Sequence, residues 1–262
     1  MKNLLTAPAL VALSGYASAQ TRYAYVPNAA DGTVKPVVSP NLGAASHCAF
    51  TPDGSEVWIA LTSTNLVWIV DTGTRRVVAA IPLSLPESGQ RATPRDDWAD
   101  YLAERKLIGL NEVAVSPDGR TAYAVGPATS ELFAVDVKDR SVLKTIHAGE
   151  RAHGVSVSPD GRELWVADLS GVVSIFESGS LNLLARILVM REGIKGPGAN
   201  HVAFTPDGAR AYVTSGDDLV VLDARKRVVT ARMPVGREPH EISLEDMVAP
   251  ASSGGRPRGA RQ

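Results

Sequence analysis

Short apolar segments of five to seven residues recur along most of this chain, with polar turn residues between them. One stretch contains four in succession, at 154–158, 163–169, 172–177 and 183–189. Their length, alternation and β-branched content are typical of β-strands. The same grouping recurs at 201–205, 210–214, 218–222 and 228–234, at 57–61, 66–70 and 77–83, and at 121–125, 132–137 and 142–146. The pattern predicts an all-β fold made of four-stranded units.

A turn motif marks each unit. The sequence Ser/Thr-Pro-Asp-Gly occurs at 51–54, 116–119, 158–161 and 205–208, always between two apolar segments. Proline presets the backbone for a type I turn, the hydroxyl can bond the backbone, and glycine eases the exit. We therefore interpret these residues as hairpin turns, and Asp71, Asp136 and Asp223 as turn formers rather than catalytic acids.

The repeat spacing predicts a β-propeller. The motif prolines are 65, 42 and 47 residues apart, and a four-stranded blade takes roughly 40 to 45 residues. Units with two apolar faces must pack against one another around an axis. Residues 22–26 resemble a second strand and 239–244 resemble a first strand, which predicts about five blades, the last shared between the chain ends. This shared blade is incomplete in the sequence, because residues 33–38 provide about one strand where two are expected.

Two segments interrupt the repeat. Residues 84–109 are an insertion with a predicted helix at about 95–107, because Asp96 and Asp97 suit its first turn and Trp98 and Tyr101 share one face. This insertion either packs on the propeller rim or acts as a lid or docking element. Residues 191–198 form a shorter glycine-rich loop.

The chain ends and the composition indicate an exported protein. Residues 1–19 combine Lys2, an apolar stretch and a small-x-small ending, which predicts a cleaved signal peptide and a periplasmic or secreted protein without stable membrane insertion. Cys48 is the single cysteine and forms no internal disulfide. The net charge of -1 argues against nucleic acid as a partner. Residues 247–262 are predicted to be a disordered basic tail.

The units resemble the YVTN-type β-propeller repeats of exported bacterial proteins. The resemblance covers about 22–246, with its best matches at 152–161 (Ala-His-Gly-Val-Ser-Val-Ser-Pro-Asp-Gly) and 211–216 (Ala-Tyr-Val-Thr-Ser-Gly). The family is similar to the propellers of cytochrome cd1 nitrite reductases and nitrous-oxide reductase, in which histidines hold haem d1 or copper. The resemblance implies an exported binding protein or a protein with histidine-held cofactors. This chain lacks a Cys-x-x-Cys-His motif, which argues against a haem-containing reductase.

Four histidines occupy the start of a first strand, and such positions converge on the channel mouth of a propeller. Strand alternation separates two rows. The residues Ser46, Asn111, His153, Asn200 and His240 form one row, and its members Asn111, His153, Asn200 and His240 are candidate ligand-binding residues. The other row is His47, Glu112, Gly154, His201 and Glu241, in which His47, His201, Glu112 and Glu241 make a candidate site for zinc, copper or iron. The same alternation argues against His47 and Cys48 sharing an ion.

Three functions are compatible with these residues. The first is a periplasmic scaffold that binds a small molecule or a protein partner at the propeller face. The second is a metal- or cofactor-dependent propeller for redox or lactone-type hydrolytic chemistry, with its histidines at the channel mouth. The third is a truncated relative with little activity. No Ser-His-Asp order, paired carboxylates, phosphate loop or dinucleotide motif stands out in the sequence, and spacing alone does not identify a catalytic triad in a propeller. The sequence therefore favours a binding protein over an enzyme and leaves the enzyme assignment open.

Overall fold

A computed structural model describes residues 26–28, 33–35, 45–62, 65–83, 109–193, 198–242 and 244. The predicted signal peptide, the predicted helix at 95–107 and the predicted basic tail lie outside these residues. Every regular element in the described ranges is a β-strand. Within these ranges the structure contains no helix with the length and hydrophobicity that crossing a bilayer requires.

Four sheets of four antiparallel strands form the propeller blades, each with its strands in sequence order. Blade one contains β3 (Ala45–Phe50), β4 (Glu56–Leu61), β5 (Leu66–Asp71) and β6 (Arg76–Pro82). Blade two contains β7 (Glu112–Val115), β8 (Thr121–Val125), β9 (Glu131–Asp136) and β10 (Val142–His147). Blade three contains β11 (Ala152–Val157), β12 (Glu163–Asp168), β13 (Val172–Glu177) and β14 (Leu183–Leu188). Blade four contains β15 (Val202–Phe204), β16 (Arg210–Ser215), β17 (Asp218–Asp223) and β18 (Val228–Pro234).

These blades confirm the predicted all-β propeller, and the ends of the predicted strands lie within two residues of the observed ones. The shared fifth blade stays a prediction. A separate two-stranded sheet pairs β1 (Val26–Asn28) with β2 (Thr33–Lys35). Residues 239–242, expected as a first strand, follow β18 without forming a strand.

The hydrophobic core lies in layers between blades. Trp58 and Ile69 of blade one pack with Phe133 of blade two in one buried cluster. Equivalent clusters join blades two and three, and blades three and four. Because each sheet buries apolar side chains on both faces, neighbouring blades stabilise one another, as the alternation in the sequence predicted.

The Ser/Thr-Pro-Asp-Gly turns have the same internal bonds in all four blades. In blade three, the Ser158 hydroxyl donates to Asp160 Oδ1 at 2.6 Å, and Asp160 Oδ1 accepts the Arg162 N–H at 3.1 Å. Gly161 has φ of 74°, a left-handed conformation that glycine adopts without a steric penalty. These bonds lower the pKa of the Asp160 carboxyl. The four motifs form hairpin turns, as predicted.

Two ion pairs repeat across blade boundaries. Arg140 in the β9–β10 turn of blade two is 2.7 Å from Glu56 of blade one, and Arg227 of blade four is 2.7 Å from Glu163 of blade three. Both glutamates also accept an indole N–H, from Trp58 and Trp165 respectively. The repeat therefore aligns blades through the same side chains as well as through the core.

Candidate metal centre

The first strands of the four blades, β3, β7, β11 and β15, contact one another in sequence around the axis. Four histidine rings meet where these strands begin. His47 lies 4.5 Å from His201, and His201 lies 5.1 Å from His153 and 4.8 Å from His240, measured between ring centroids. The predicted convergence of this repeat position on one channel mouth is therefore present in the structure. His147 lies on the outer strand β10, away from this group.

Hydrogen bonds join the blades around this mouth. The backbone N–H of His47 donates to the Asn111 carbonyl at 3.3 Å. The side-chain amide of Asn111 donates to the His153 carbonyl at 2.9 Å. The Asn200 amide donates to the Pro239 carbonyl at 3.0 Å, which adds the segment after β18 to the ring. Because the two asparagine side chains bond backbone carbonyls of neighbouring segments, they hold the backbone around the mouth in place.

His47 bridges the two sides of the mouth. Its Nδ1 is 3.0 Å from the Asn111 carbonyl oxygen and its Nε2 is 2.9 Å from Glu241 Oε2. Burial alone would lower the pKa of the ring, but the hydrogen bond to Glu241 and the charges of Glu112 and Glu241 outweigh it and raise the pKa of His47 to about 9. The metal-free ring is therefore an imidazolium that donates from both nitrogens.

His201 is the opposite case, a buried neutral imidazole. Burial and the nearby charge of His47 hold its pKa well below the usual range. Its Nδ1 is 3.1 Å from Glu112 Oε2, so Glu112 in its ionised form favours the tautomer that carries the proton on Nδ1. The other nitrogen, Nε2, is buried and has no hydrogen-bond partner among the described residues. The lone pair of this nitrogen is therefore available to bind an ion, on the side of the ring that faces His47, His240 and Glu241.

Glu112 reaches His201 through space that Gly154 leaves empty. A Cβ on Gly154 would lie 2.2 Å from the Asn200 carbonyl oxygen and 2.9 Å from Glu112 Oε2. The same carboxylate accepts the Val155 N–H at 2.8 Å. Its burial raises the pKa of Glu112 to about 7, partly offset by the positive charge of His47. Gly154 is the third member of the second row, and its missing side chain makes room for this contact.

His47, His201, His240 and Glu241 could together hold a metal ion, because one ligand atom from each lies within 4.8 Å of the others. Bonds of about 2.1 Å in a tetrahedral zinc site keep the ligand atoms about 3.4 Å apart, so the most distant of these atoms must approach one another by about 1.4 Å when an ion binds. Each of two histidines already has the second contact that metal-bound imidazoles make through the other nitrogen: a carbonyl for His47 and a carboxylate for His201. The donor set of nitrogen and oxygen suits zinc, copper or iron.

The predicted site residues all lie at this mouth, in altered roles. His47, His201 and Glu241 belong to the group that could hold a metal ion, whereas Glu112 lies behind His201. His240, expected in the other row, joins the group. Strand alternation does not separate His240 from Glu241 because residues 239–242 are not a strand. His153 is buried beside the group, with burial as the main cause that lowers its pKa.

Cys48 is not part of the group. It packs partly buried against the core cluster of blade one, and burial raises the pKa of its thiol to about 12. That His47 and Cys48 do not share an ion stays a prediction, based on neighbouring strand residues pointing to opposite faces.

A cavity of about 370 Å³ continues along the axis from Glu112 to the opposite mouth at Pro117 and Pro159. Its walls come from the first strands of all four blades, with Phe50 and Phe204 among the apolar side chains. Glu112 thus borders both the histidine group and this cavity.

Comparisons with known proteins bear on the fold. No family model and no curated protein matches the sequence. Among solved structures, Kuenenia stuttgartiensis hydrazine synthase is similar, with a TM-score of 0.59 and 20% sequence identity over 76% of this chain. The match spans 51% of that chain, so this chain corresponds to about half of its length. At this identity the likeness supports the propeller fold and carries no activity.

Proposed function

We propose that the chain is an exported, YVTN-type β-propeller that binds a divalent transition-metal ion at one channel mouth, through His47, His201, His240 and Glu241. One observation carries the proposal. The buried Nε2 of His201 has no hydrogen-bond partner among the described residues, its nearest charged group being Glu241 Oε2 at 3.9 Å, and an unsatisfied buried polar atom costs about 1 to 3 kcal/mol. A metal ion in the group would satisfy this lone pair.

The charges also favour a divalent ion. Three neutral imidazoles and the Glu241 carboxylate leave a divalent ion with one net positive charge, and the Glu112 carboxylate lies just behind His201. Such a site is electrically balanced, which buried charged groups require. Zinc is our first candidate because it accepts mixed histidine and carboxylate ligands at neutral pH, and copper and iron are the alternatives.

Metal titration of the purified full chain tests the proposal. We expect one zinc ion per chain by equilibrium dialysis, and Co²⁺ in place of zinc should give the intense visible absorption of a low-symmetry nitrogen and oxygen site. Substituting the exposed ligand, His240→Ala, should weaken binding at least tenfold without unfolding the protein. His201→Ala should abolish stoichiometric binding.

His147→Ala is the matched control, because His147 is a histidine of the same chain on an outer strand. It should bind zinc as tightly as the natural sequence. Far-ultraviolet circular dichroism establishes that each variant is folded. Binding that is absent in the natural sequence, or that survives both His201→Ala and His240→Ala, contradicts the proposal.

A scaffold that binds a small molecule or a protein is the second candidate, and the axial cavity favours it. The cavity has about 370 Å³, and Phe50 and Phe204 line it together with the polar Glu112 and Ser156; this volume is within the usual range for small-ligand sites. Screening small molecules by thermal shift tests this function. The substitution Phe204→Ser in the cavity wall should remove a genuine hit, and His240→Ala should leave it unchanged.

A further inference from the structure

We infer that the metal ion closes the propeller, by tying the segment 235–242 that follows β18 to blades one and four. This inference rests on the proposed metal site. The four ligands come from three separate parts of the chain: His47 from β3 in blade one, His201 from the start of blade four, and both His240 and Glu241 from the segment after β18. A single ion would therefore join the first blade to the last described part of the chain.

The segment 235–242 lacks the attachment that other parts of the propeller have. Its described residues form no strand, so no ladder of backbone bonds holds them to a sheet. Three side-chain contacts connect its later residues to the blades. The Asn200 amide donates to the Pro239 carbonyl, the Thr214 hydroxyl donates to the His240 carbonyl at 2.9 Å, and His47 pairs with Glu241.

The ion pair of His47 with Glu241 is by itself a modest restraint on the segment. Residues 235–238 are exposed, and the Glu241 side chain is 35% accessible. A partly exposed ion pair contributes about 1 kcal/mol or less. Binding of an ion replaces that pair with bonds from both partners to the same centre and adds His240 and His201, so the ion becomes the strongest link between the segment and the blades.

The segment 235–242 also occupies the place that a first strand takes in the repeat. His240 and Glu241 align with the first-strand positions of the four blades, and they meet the other histidines in space. A fifth position of the ring is thus filled by side chains that bind instead of by a paired strand. Closure of a propeller normally relies on strand pairing that hides sheet edges; here the ion would supply it.

Limited proteolysis of the full chain tests this closure, because trypsin cuts where a segment can open locally. Arg237 lies in the segment, and Lys226 lies in the exposed β17–β18 turn and serves as an internal control. With saturating zinc, we expect cleavage after Arg237 to slow at least tenfold, while cleavage after Lys226 changes less than twofold. Mass spectrometry of the fragments gives both rates in one experiment.

Two variants sharpen the test. The double substitution His240→Ala with Glu241→Gln removes both ligands of the segment, so zinc should no longer slow cleavage after Arg237. The control His147→Ala should keep the full effect. If zinc fails to bind in dialysis, the proposed function itself fails. If one zinc ion binds but cleavage after Arg237 is unchanged, or both sites slow equally, the metal site stands and closure is refuted.

Discussion

Each first strand begins at the channel mouth and ends in a Ser/Thr-Pro-Asp-Gly turn. The two ends differ in how closely the aligned residues of the four blades resemble one another. At the turn end, all four blades have nearly the same residues and the same local bonds. At the mouth, the aligned residues change from blade to blade, and their bonds run between blades. Identical residues in a repeat therefore mark structure, and a varied polar position that converges on the axis marks the candidate site.

The largest expected effect comes from filling the space at Gly154. We expect Gly154→Ala to destabilise the fold by about 3 kcal/mol, because the new Cβ would overlap the Asn200 carbonyl oxygen at 2.2 Å. It should also weaken metal binding, since Glu112 would be displaced from His201. Chemical denaturation measures the change. Gly179→Ala is the control, because nothing lies within 4 Å of its added Cβ, and an equal loss in both variants would contradict the close packing at the mouth.

The pH dependence of zinc binding is the next largest effect. With its pKa raised to about 9, metal-free His47 carries a proton at neutral pH that must leave before Nε2 can bind an ion. Zinc affinity should therefore rise about tenfold per pH unit, or about 100-fold between pH 6 and 8. Titration calorimetry in buffers of different ionisation enthalpy should detect one proton released at pH 7.5. A flat profile would show that His47 is not a ligand.

The same shift affects the metal-free fold with the opposite sign. The folded pKa of His47 lies above its ordinary value of 6.5. Its ion pair with Glu241 therefore stabilises the folded state fully below about pH 6.5, and this contribution is lost as the pH rises through about 9. In denaturation without metal, His47→Gln should flatten that part of the stability profile. The affinity for zinc therefore rises over the same pH range in which the ion pair of His47 with Glu241 weakens.

Removing the charge behind His201 should have a smaller effect. Glu112→Gln keeps the shape of the side chain but weakens the contact that orients His201, and contacts of this kind typically change metal affinity 10- to 100-fold. Equilibrium dialysis measures the loss. Glu163→Gln is the control, because Glu163 is also partly buried and hydrogen-bonded but lies at a blade boundary. If the two variants lose affinity equally, Glu112 has no special role at the centre.

Sequence reasoning predicted the blades well because their signals are local. Alternation of apolar residues sets each strand, and proline with glycine sets each turn, as at Pro159 and Gly161. The mouth was predicted less completely. Alignment identified which residues meet, but the side-chain directions depend on packing between blades. Glu112 turns behind His201 because Gly154 leaves room, and His240 joins Glu241 because their segment is not a strand. Neither contact has a signal within a single repeat unit.

The smallest effect should come from the turn end, where it tests whether the repeats are equivalent. Asp160→Ala removes one acceptor of a hydroxyl and a backbone N–H, so we expect a loss of about 1 kcal/mol. Asp118→Ala breaks the same two bonds in blade two and should cost the same within about 0.5 kcal/mol. Both variants should bind zinc normally. Because these turns act only within their own blade, unequal losses, or a change in zinc affinity, would show that the turn end is coupled to the mouth through the first strands.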